Sequence, residues 1–422
     1  MNLPNKTETK KIAPWMIRAA VFLSSQTISL FGSSLVQFAI IWYIAKNTNS
    51  GMMVTISTLC SFLPQLSISV FAGVWADRYN RKFLIISADA VIALSTLVLA
   101  IIFYTGHSSL WIMFLVSAIR SFGAGVQMPA VSALIPQIVP EEKLMRVNGI
   151  NASIQSMVFF VSPAVGGAVL TYGAFESILF IDVVTAAIGI SIMLTLKVAA
   201  YKKAVGKEET DYFHDLREGL KYSFGNSFIK NLLVFHMIFG FLVVPAAFLN
   251  VLMVTRVFGN EYWQLTANEM AFFAGSILGG IAIASWGGFK NRIATIALGC
   301  CAFGVLTVAI GIVKVFYVYL VIMLLTGMTM PLFNSPAMVL LQEKVDAGMQ
   351  GRVFSLIQIV ASGIMPLGML IFGPLSDIVS IELLMIVSGI LLVILGVSIF
   401  YNKEFMKEGI KPELPAAAAD AE

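Results

Sequence analysis

Runs of about 20 or more mostly apolar residues recur from one end of this 422-residue chain to the other. At roughly 1.5 Å per residue, each run is long enough to cross the roughly 30 Å of bilayer hydrocarbon. Only helices or a closed barrel satisfy the backbone there, and runs without period-two alternation are helices. Twelve spans are expected, at about 16–45, 51–76, 83–104, 109–135, 147–172, 176–197, 228–255, 266–289, 293–312, 316–341, 353–377 and 381–401. Composition agrees: 58% of the residues are hydrophobic and 12% charged, whereas a soluble domain carries about 25% charged residues. The chain reads as an all-α integral membrane protein whose first partner is the lipid bilayer.

Charge placement orients it. Of 27 lysines and arginines, only Lys46, Arg256 and Lys314 fall in one set of loops and Arg120 deep inside a span, while the others lie in the opposite set, at the adjoining ends of spans or at the two ends of the chain. The positive-inside rule then puts both termini in the cytoplasm. The net charge of +4 is this asymmetry, and no nucleic-acid partner is implied. The polar first residues with Lys6, Lys10 and Lys11 precede no small-residue cleavage site, so no removable signal peptide is expected. Cys60, Cys300 and Cys301 fall inside spans and form neither a disulfide framework nor a metal set.

The longest polar stretch, 199–226, divides the chain into a six-helix half at 1–198 and another at 227–402, with a low-complexity tail at 403–422 expected to be disordered. The halves look related. PAVSALIPQIVPEEKLMRV from Pro129 resembles PAMVLLQEKVDAGMQGRV from Pro336, and a glutamine and a proline follow in each next span, Gln155 with Pro163 and Gln358 with Pro366. Two parallel six-helix repeats around a midplane site form an architecture suited to alternating access, for which a monomer suffices.

Between the second and third spans lies GVWADRYNRK, with Gly73, Asp77, Arg78, Arg81 and Lys82. This G-x-x-x-D-R-x-x-R-K pattern resembles the loop signature of the major facilitator superfamily. LVQFAIIWYIAKNTNS, FLPQ, VQMPAVSALIPQIVPEEKLMRVNGINASIQS and VSPAVGGAV resemble the drug:proton antiporters of its multidrug-efflux branch, including macrolide-efflux proteins. The pattern departs from the family in places. The matching loop of the second half, SWGGFKNR, keeps Lys290 and Arg292 but has no acid, Ala124 stands where the fourth span favours glycine, and Ser162 precedes Pro163. The resemblance implies that the loop acid lies near the cytoplasmic start of the eleventh helix, here MQGRVFSL with Arg352. A carboxylate beside a helix N-terminus gains about 0.3–1 kcal/mol, so Asp77 is expected to act as a cytoplasmic gate as well as part of an orientation signal.

Charges inside the spans are costly and point to function. Arg120 matches the family's fourth-span arginine, the competing reading being a structural hub to carbonyls, Gln26 or Gln37. Asp89 and Asp182 are the carboxylates placed well inside the hydrocarbon, and alternating exposure would let either bind and release a proton. Asp89 could instead partner Arg81 or Lys82, and Asp182 could fix helix packing. Glu269 falls near the outer surface and reads as solvated. Gln26, Gln37, Trp42, Gln155, Phe159, Asn250, Asn334 and Gln358 are candidates to line a central cavity, each also explicable as an interhelical contact. Pro163, Gly166 and Gly167 suit close helix approach.

The expected function is secondary export of hydrophobic or cationic drugs, macrolides among them, in exchange for protons and with no cofactor. Alternatives are an exporter or flippase of a physiological amphiphile, such as a lysophospholipid or siderophore, and a non-transporting membrane sensor. The chain contains no H-E-x-x-H, G-x-S-x-G or G-x-x-x-x-G-K-[ST], which argues against intramembrane hydrolysis and ATP-driven pumping. The expected location is a bacterial inner membrane.

Overall fold

A computed structural model describes residues 13–198, 212–346 and 349–410; the side chain of Asp77 lies outside the described residues. Twelve of its helices are long and apolar enough to cross a membrane. The first six are α1 (Pro14–Thr48), α2 (Gly51–Arg78), α3 (Arg81–Tyr104), α4 (Leu110–Ile138), α5 (Leu144–Tyr172) and α6 (Phe175–Thr195). A further helix, α7 (Tyr212–Gly225), lies within the polar stretch. The seventh span consists of α8 (Ser227–Phe248), α9 (Asn250–Met253) and a π turn at Val254–Phe258. After it come α10 (Tyr262–Trp286), α11 (Arg292–Ile312), α12 (Phe316–Lys344), α13 (Gln350–Leu375), α14 (Ile381–Tyr401) and a short α15 (Lys403–Glu408).

Local chemistry sets the helix ends. Asn80, Asn226 and Asn291 precede α3, α8 and α11, and each side-chain oxygen accepts from amides of the first turn, at 3.3 Å from Phe83, 3.0 Å from Phe228 and 3.0 Å from Ile293. Those amides have no partner within the helix, so an asparagine there satisfies them. Asn80 and Asn291 hold equivalent places in NRK and NRI of the two halves. Prolines inside α2, α4, α5, α8, α12 and α13 are tolerated because neighbouring groups re-satisfy the freed carbonyls. Pro245, near the end of α8, precedes the irregular segment at Leu249 and the π turn.

The chain clusters into two compact units. One comprises Met1–Tyr43 and Ile56–Gly206, the other Ile44–Thr55 and Lys207–Glu422. In the first, α3 packs against α4 and α6; in the second, α10 packs on α12, and α11 on α12 and α14. The α1–α2 turn therefore clusters with the second unit although most of both helices belongs to the first.

Part of the segment whose composition suggested a disordered tail is helical. Asn402 caps α15 through Phe405, whose ring is buried against Phe228 at 5.6 Å. Asn291 also donates to the Met406 carbonyl at 2.7 Å. One anchoring phenylalanine and these backbone contacts outweigh the weak intrinsic helicity of six residues.

Candidate functional site

Asp89 and Thr96 lie seven residues apart on α3, and Arg120 and Gln127 seven apart on α4, so each pair occupies one helix face two turns apart. The helices run antiparallel, placing Asp89 opposite Gln127 and Thr96 opposite Arg120. Gln127 Nε2 donates to Asp89 Oδ1 at 2.7 Å, and Ser29 Oγ of α1 donates to the same oxygen at 2.8 Å. Two turns along, Arg120 Nη1 pairs with Asp182 Oδ2 of α6 and contacts Thr96 Oγ1. Thr96 also donates to Asp182 Oδ2 at 2.9 Å, Ser33 Oγ lies 3.3 Å from Asp182 Oδ1, and Arg120 Nη2 donates to the Ser33 carbonyl at 3.3 Å. Between the two layers, a side chain at Gly123 would meet Ile92 Cγ1 at 2.7 Å, so the glycine lets α3 and α4 approach closely enough for both layers to bond.

The charges are removed from solvent: Asp182 is 0% exposed, Asp89 2% and Arg120 9%. Their satisfaction differs. Asp182 has a guanidinium and two hydroxyls, whereas Asp89 Oδ2 is buried with no hydrogen-bond partner among the described residues. An ionised carboxylate is normally saturated on both oxygens when buried. Asp89 is bonded by Ser29 and Gln127 rather than by Arg81 or Lys82; Arg120 reaches one carbonyl, that of Ser33, as its competing reading allowed, but its other partners are Asp182 and Thr96 rather than Gln26 or Gln37. Ser29, Ser33, Thr96 and Gln127 were not anticipated; the signal for Thr96 and Gln127 is their seven-residue spacing to Asp89 and Arg120, and Ser29 and Ser33 of α1 carry no such signal.

Two cavities of the first unit adjoin this network. One of about 210 Å³ is lined by Ser33, Gln37, Gln65, Arg120, Gln127 and Phe159. The second, about 170 Å³, shares Gln127 and Phe159 and adds Gln26, Asn151 and Gln155. Four of the sequence-predicted lining residues thus meet here. Trp42 does not: it is 1% exposed in the core, 5.8 Å from Phe38, because the indole of an α1 residue facing its neighbours is better buried than hydrated. In the second unit Asn250 is also buried, at the start of α9. Asn334 lines a separate cavity, and Gln358 is exposed on α13. Pro163, Gly166 and Gly167 are buried in α5, where a Cβ at Gly166 would make ordinary contact with Leu35 at 3.5 Å.

The bases of the α2–α3 turn close helix ends. Arg81 donates to the Ala76 and Ala133 carbonyls, each at 2.8 Å, and Lys82 Nζ to those of Leu194 and Leu196, also at 2.8 Å. Cations at the carbonyl ends of α2, α4 and α6 gain from the helix dipoles. Arg78 is exposed, and a side chain at Gly73 would meet nothing within 4 Å. Arg352, in the first turn of α13, pairs with Glu218 of α7 at 2.8 Å.

A carboxylate capping a helix does occur, at the α1–α2 turn. Asp377 Oδ1 accepts from the Gly51 amide at 2.7 Å and from Arg256 Nη2 at 2.7 Å; Oδ2 accepts from the Met52 amide at 3.0 Å and Ser50 Oγ at 2.8 Å. Arg256 also donates to the Asn49 and Ser376 carbonyls at 2.6 and 2.5 Å. Burial pushes the Asp377 carboxyl upward, but the amides of Met52 and Gly51, Ser50 and Arg256 outweigh it and hold the group below the usual carboxylate range. Glu269, read as solvated, is instead half-buried beside Asn268, which is fully buried and accepts from Tyr319 Oη at 2.7 Å. An α-helical period carries the outer part of α10 onto the face that meets α12.

Residues 22–368 match the family described as the Major Facilitator Superfamily. The chain belongs to that superfamily. Its twelve spans therefore form a multi-pass membrane transporter of the secondary type, not an enzyme. Macrolide efflux protein A of Streptococcus pyogenes is 27% identical over 404 residues, covering 95% of this chain and 100% of that protein. Multidrug efflux pump Tap of Mycolicibacterium fortuitum is 21% identical over 382 residues, covering 87% and 91%. In fold, the chain resembles a bacterial homolog of the human lysosomal transporter Spinster, with TM-score 0.70, 14% identity and coverage of 95% of this chain and 100% of that one. The nucleoside transporter NupG gives 0.69, 13%, and 92% and 99%.

Proposed function

We propose that this superfamily member exports bulky amphiphiles, macrolides among them, in exchange for protons, with Asp89 as the proton-carrying residue. The observation that carries the assignment is the buried Oδ2 of Asp89, which has no hydrogen-bond partner among the described residues. A proton on that oxygen removes the charge, while Oδ1 keeps its bonds to Ser29 and Gln127. Asp182 already has the guanidinium of Arg120 as its counter-charge, and its role is to hold Arg120 beside the cavity lined by Gln37, Gln65 and Phe159. Release of the Asp89 proton leaves an anion near Arg120, and the substrate-binding and proton-binding states then differ in the charge beside that cavity. The similarity to a macrolide efflux protein over 95% of the chain favours macrolides over a lysophospholipid or siderophore. The asymmetry of lysines and arginines supports cytoplasmic termini in a bacterial inner membrane.

The test is uptake of a labelled macrolide into inverted vesicles holding purified protein, with an imposed proton gradient. Wild type accumulates the label and an uncoupler abolishes accumulation. Asp89→Asn retains exchange of label against unlabelled macrolide but loses uphill accumulation. Gradient-driven accumulation by well-folded Asp89→Asn would overturn the assignment, and no macrolide movement by wild type would overturn the substrate.

A further inference from the structure

We infer that the second unit contains a binding site for a neutral ring-bearing amphiphile that presents a hydroxyl group, with His236 as its hydrogen-bond acceptor. The site is a cavity of about 340 Å³ between α8, α12 and α13, lined by His236, Phe239, Phe333, Met330, Val360 and Met365 among others. That volume lies within the roughly 300–1,000 Å³ of small-molecule pockets, which pair apolar walls with a few placed polar groups. This inference rests on the export reading only for its physiological meaning.

The walls favour flat or polycyclic apolar matter. Phe239 and Phe333 stack at 3.8 Å with 13° between their planes, Phe235 lies 5.6 Å from Phe333, and His236 lies 4.9 Å from Phe333. The stacked pair forms a rigid aromatic wall, and the two methionines supply a surface that repacks around different shapes.

The polar content fixes the ligand's polar group. His236 Nδ1 lies 2.9 Å from the Leu232 carbonyl oxygen, which can only accept, so Nδ1 carries the hydrogen. In the neutral ring Nε2 is then an acceptor, and a ligand group that complements it must donate. The other polar lining residue is Asn334, and no carboxylate lines the cavity among the described residues. A permanent cation would enter apolar surroundings without a counter-charge, whereas a neutral hydroxyl gives up water for the imidazole nitrogen. The Gln-rich cavities of the first unit lack this arrangement, having an arginine and amides but no imidazole.

The test measures binding without any gradient. Purified protein in nanodiscs is titrated with 2-naphthol, 2-methoxynaphthalene and a trimethylammonium naphthalene of similar size, following fluorescence. Wild type should prefer the naphthol over its methyl ether by about three- to ten-fold, the ratio one neutral hydrogen bond supports, and bind the cation no better than the ether. His236→Phe, which keeps a ring but removes the acceptor, should equalise naphthol and ether, and His236→Gln, which restores an acceptor, should recover part of the preference. Ala247 also lines the cavity, and Ala247→Phe should weaken all three by filling it. Variants are compared at matched melting temperature. Equal binding of naphthol and ether by wild type, or a preference that survives in His236→Phe, would overturn the inference. The binding ratio is read without a gradient and proton coupling separately as uncoupler-sensitive export, so loss of the naphthol preference in His236→Phe with export intact, and loss of coupling with the preference intact, are distinct results.

Discussion

Replacing Arg120 by methionine should destabilise the protein far more than replacing Arg120 and Asp182 together. Asp182 is 0% exposed and pairs with Arg120. Removing only the guanidinium strands a buried carboxylate with hydroxyls alone, a loss of about 3–5 kcal/mol when one partner of a buried pair is deleted. Partners available in the membrane-embedded unfolded state reduce such values, so about 3 kcal/mol is expected for Arg120→Met. In Arg120→Met/Asp182→Leu no charge remains. With no carboxylate facing it, the single hydroxyl hydrogen of Thr96 turns to the Ile92 carbonyl 2.9 Å away, and an apolar pair of similar volume is close to neutral, so the double variant should lie within about 1 kcal/mol of wild type. The coupling energy from the cycle should therefore exceed about 2 kcal/mol, read from unfolding of the purified protein in mixed micelles. Additive single effects, with coupling below about 0.5 kcal/mol, would refute the ion pair as the organising contact of the first unit.

Asp377→Asn should loosen the α1–α2 turn, at a cost of about 1–2 kcal/mol for a lost helix cap and a partly exposed ion pair, detected as faster amide exchange at Gly51 and Met52. Because the native carboxyl sits below its usual range, its contribution is complete above the unfolded value of about 3.9 and is lost as pH falls through the lower native value. Wild type should show that acid-side loss of amide protection and the asparagine variant should not. Gly275→Leu should separate α10 from α12, since even a Cβ there would overlap the Leu324 carbonyl, and Gly327 meets the Phe272 carbonyl in the same way from the other helix; overpacking of this kind costs about 1–3 kcal/mol or more, measurable as a lower melting temperature.

The spans were legible because the bilayer imposes a length and an apolar composition that few other folds share. Helices whose stability comes from docking were not. The segment at Tyr212–Gly225 is polar enough to read as linker, yet Glu218 reaches Arg352 and Tyr222 Oη donates to Asp346 at 2.9 Å, contacts with residues more than a hundred positions away. Asp377 was missed for the same reason, as its amide partners lie 325 and 326 residues earlier. An acid on a helix N-terminus was expected from Asp77 at the start of the eleventh span. The Asp77 side chain lies outside the described residues; a described contact of that kind joins Asp377, just past the end of the eleventh span, to the start of the second.

Within the site, the expense of burying charge singled out Arg120, Asp89 and Asp182, and the structure unites all three in one unit. Expense says little about uncharged partners, because a serine or threonine in a span costs little and satisfies itself locally, while a glutamine can find its partner on any neighbouring helix. Geometry supplies what expense omits. In two adjacent antiparallel helices, facing residues keep a constant sum of positions over a few turns. Asp89 with Gln127 and Thr96 with Arg120 obey that relation, and both pairs are bonded. With α3 and α4 taken as neighbours, the Asp89–Thr96 and Arg120–Gln127 separations place each charge opposite a polar residue of the other helix. They also put Gly123 where the two helices must come closest. The polar network is thus written into the seven-residue spacing of two spans, and the charges are only the half of it that cost makes visible.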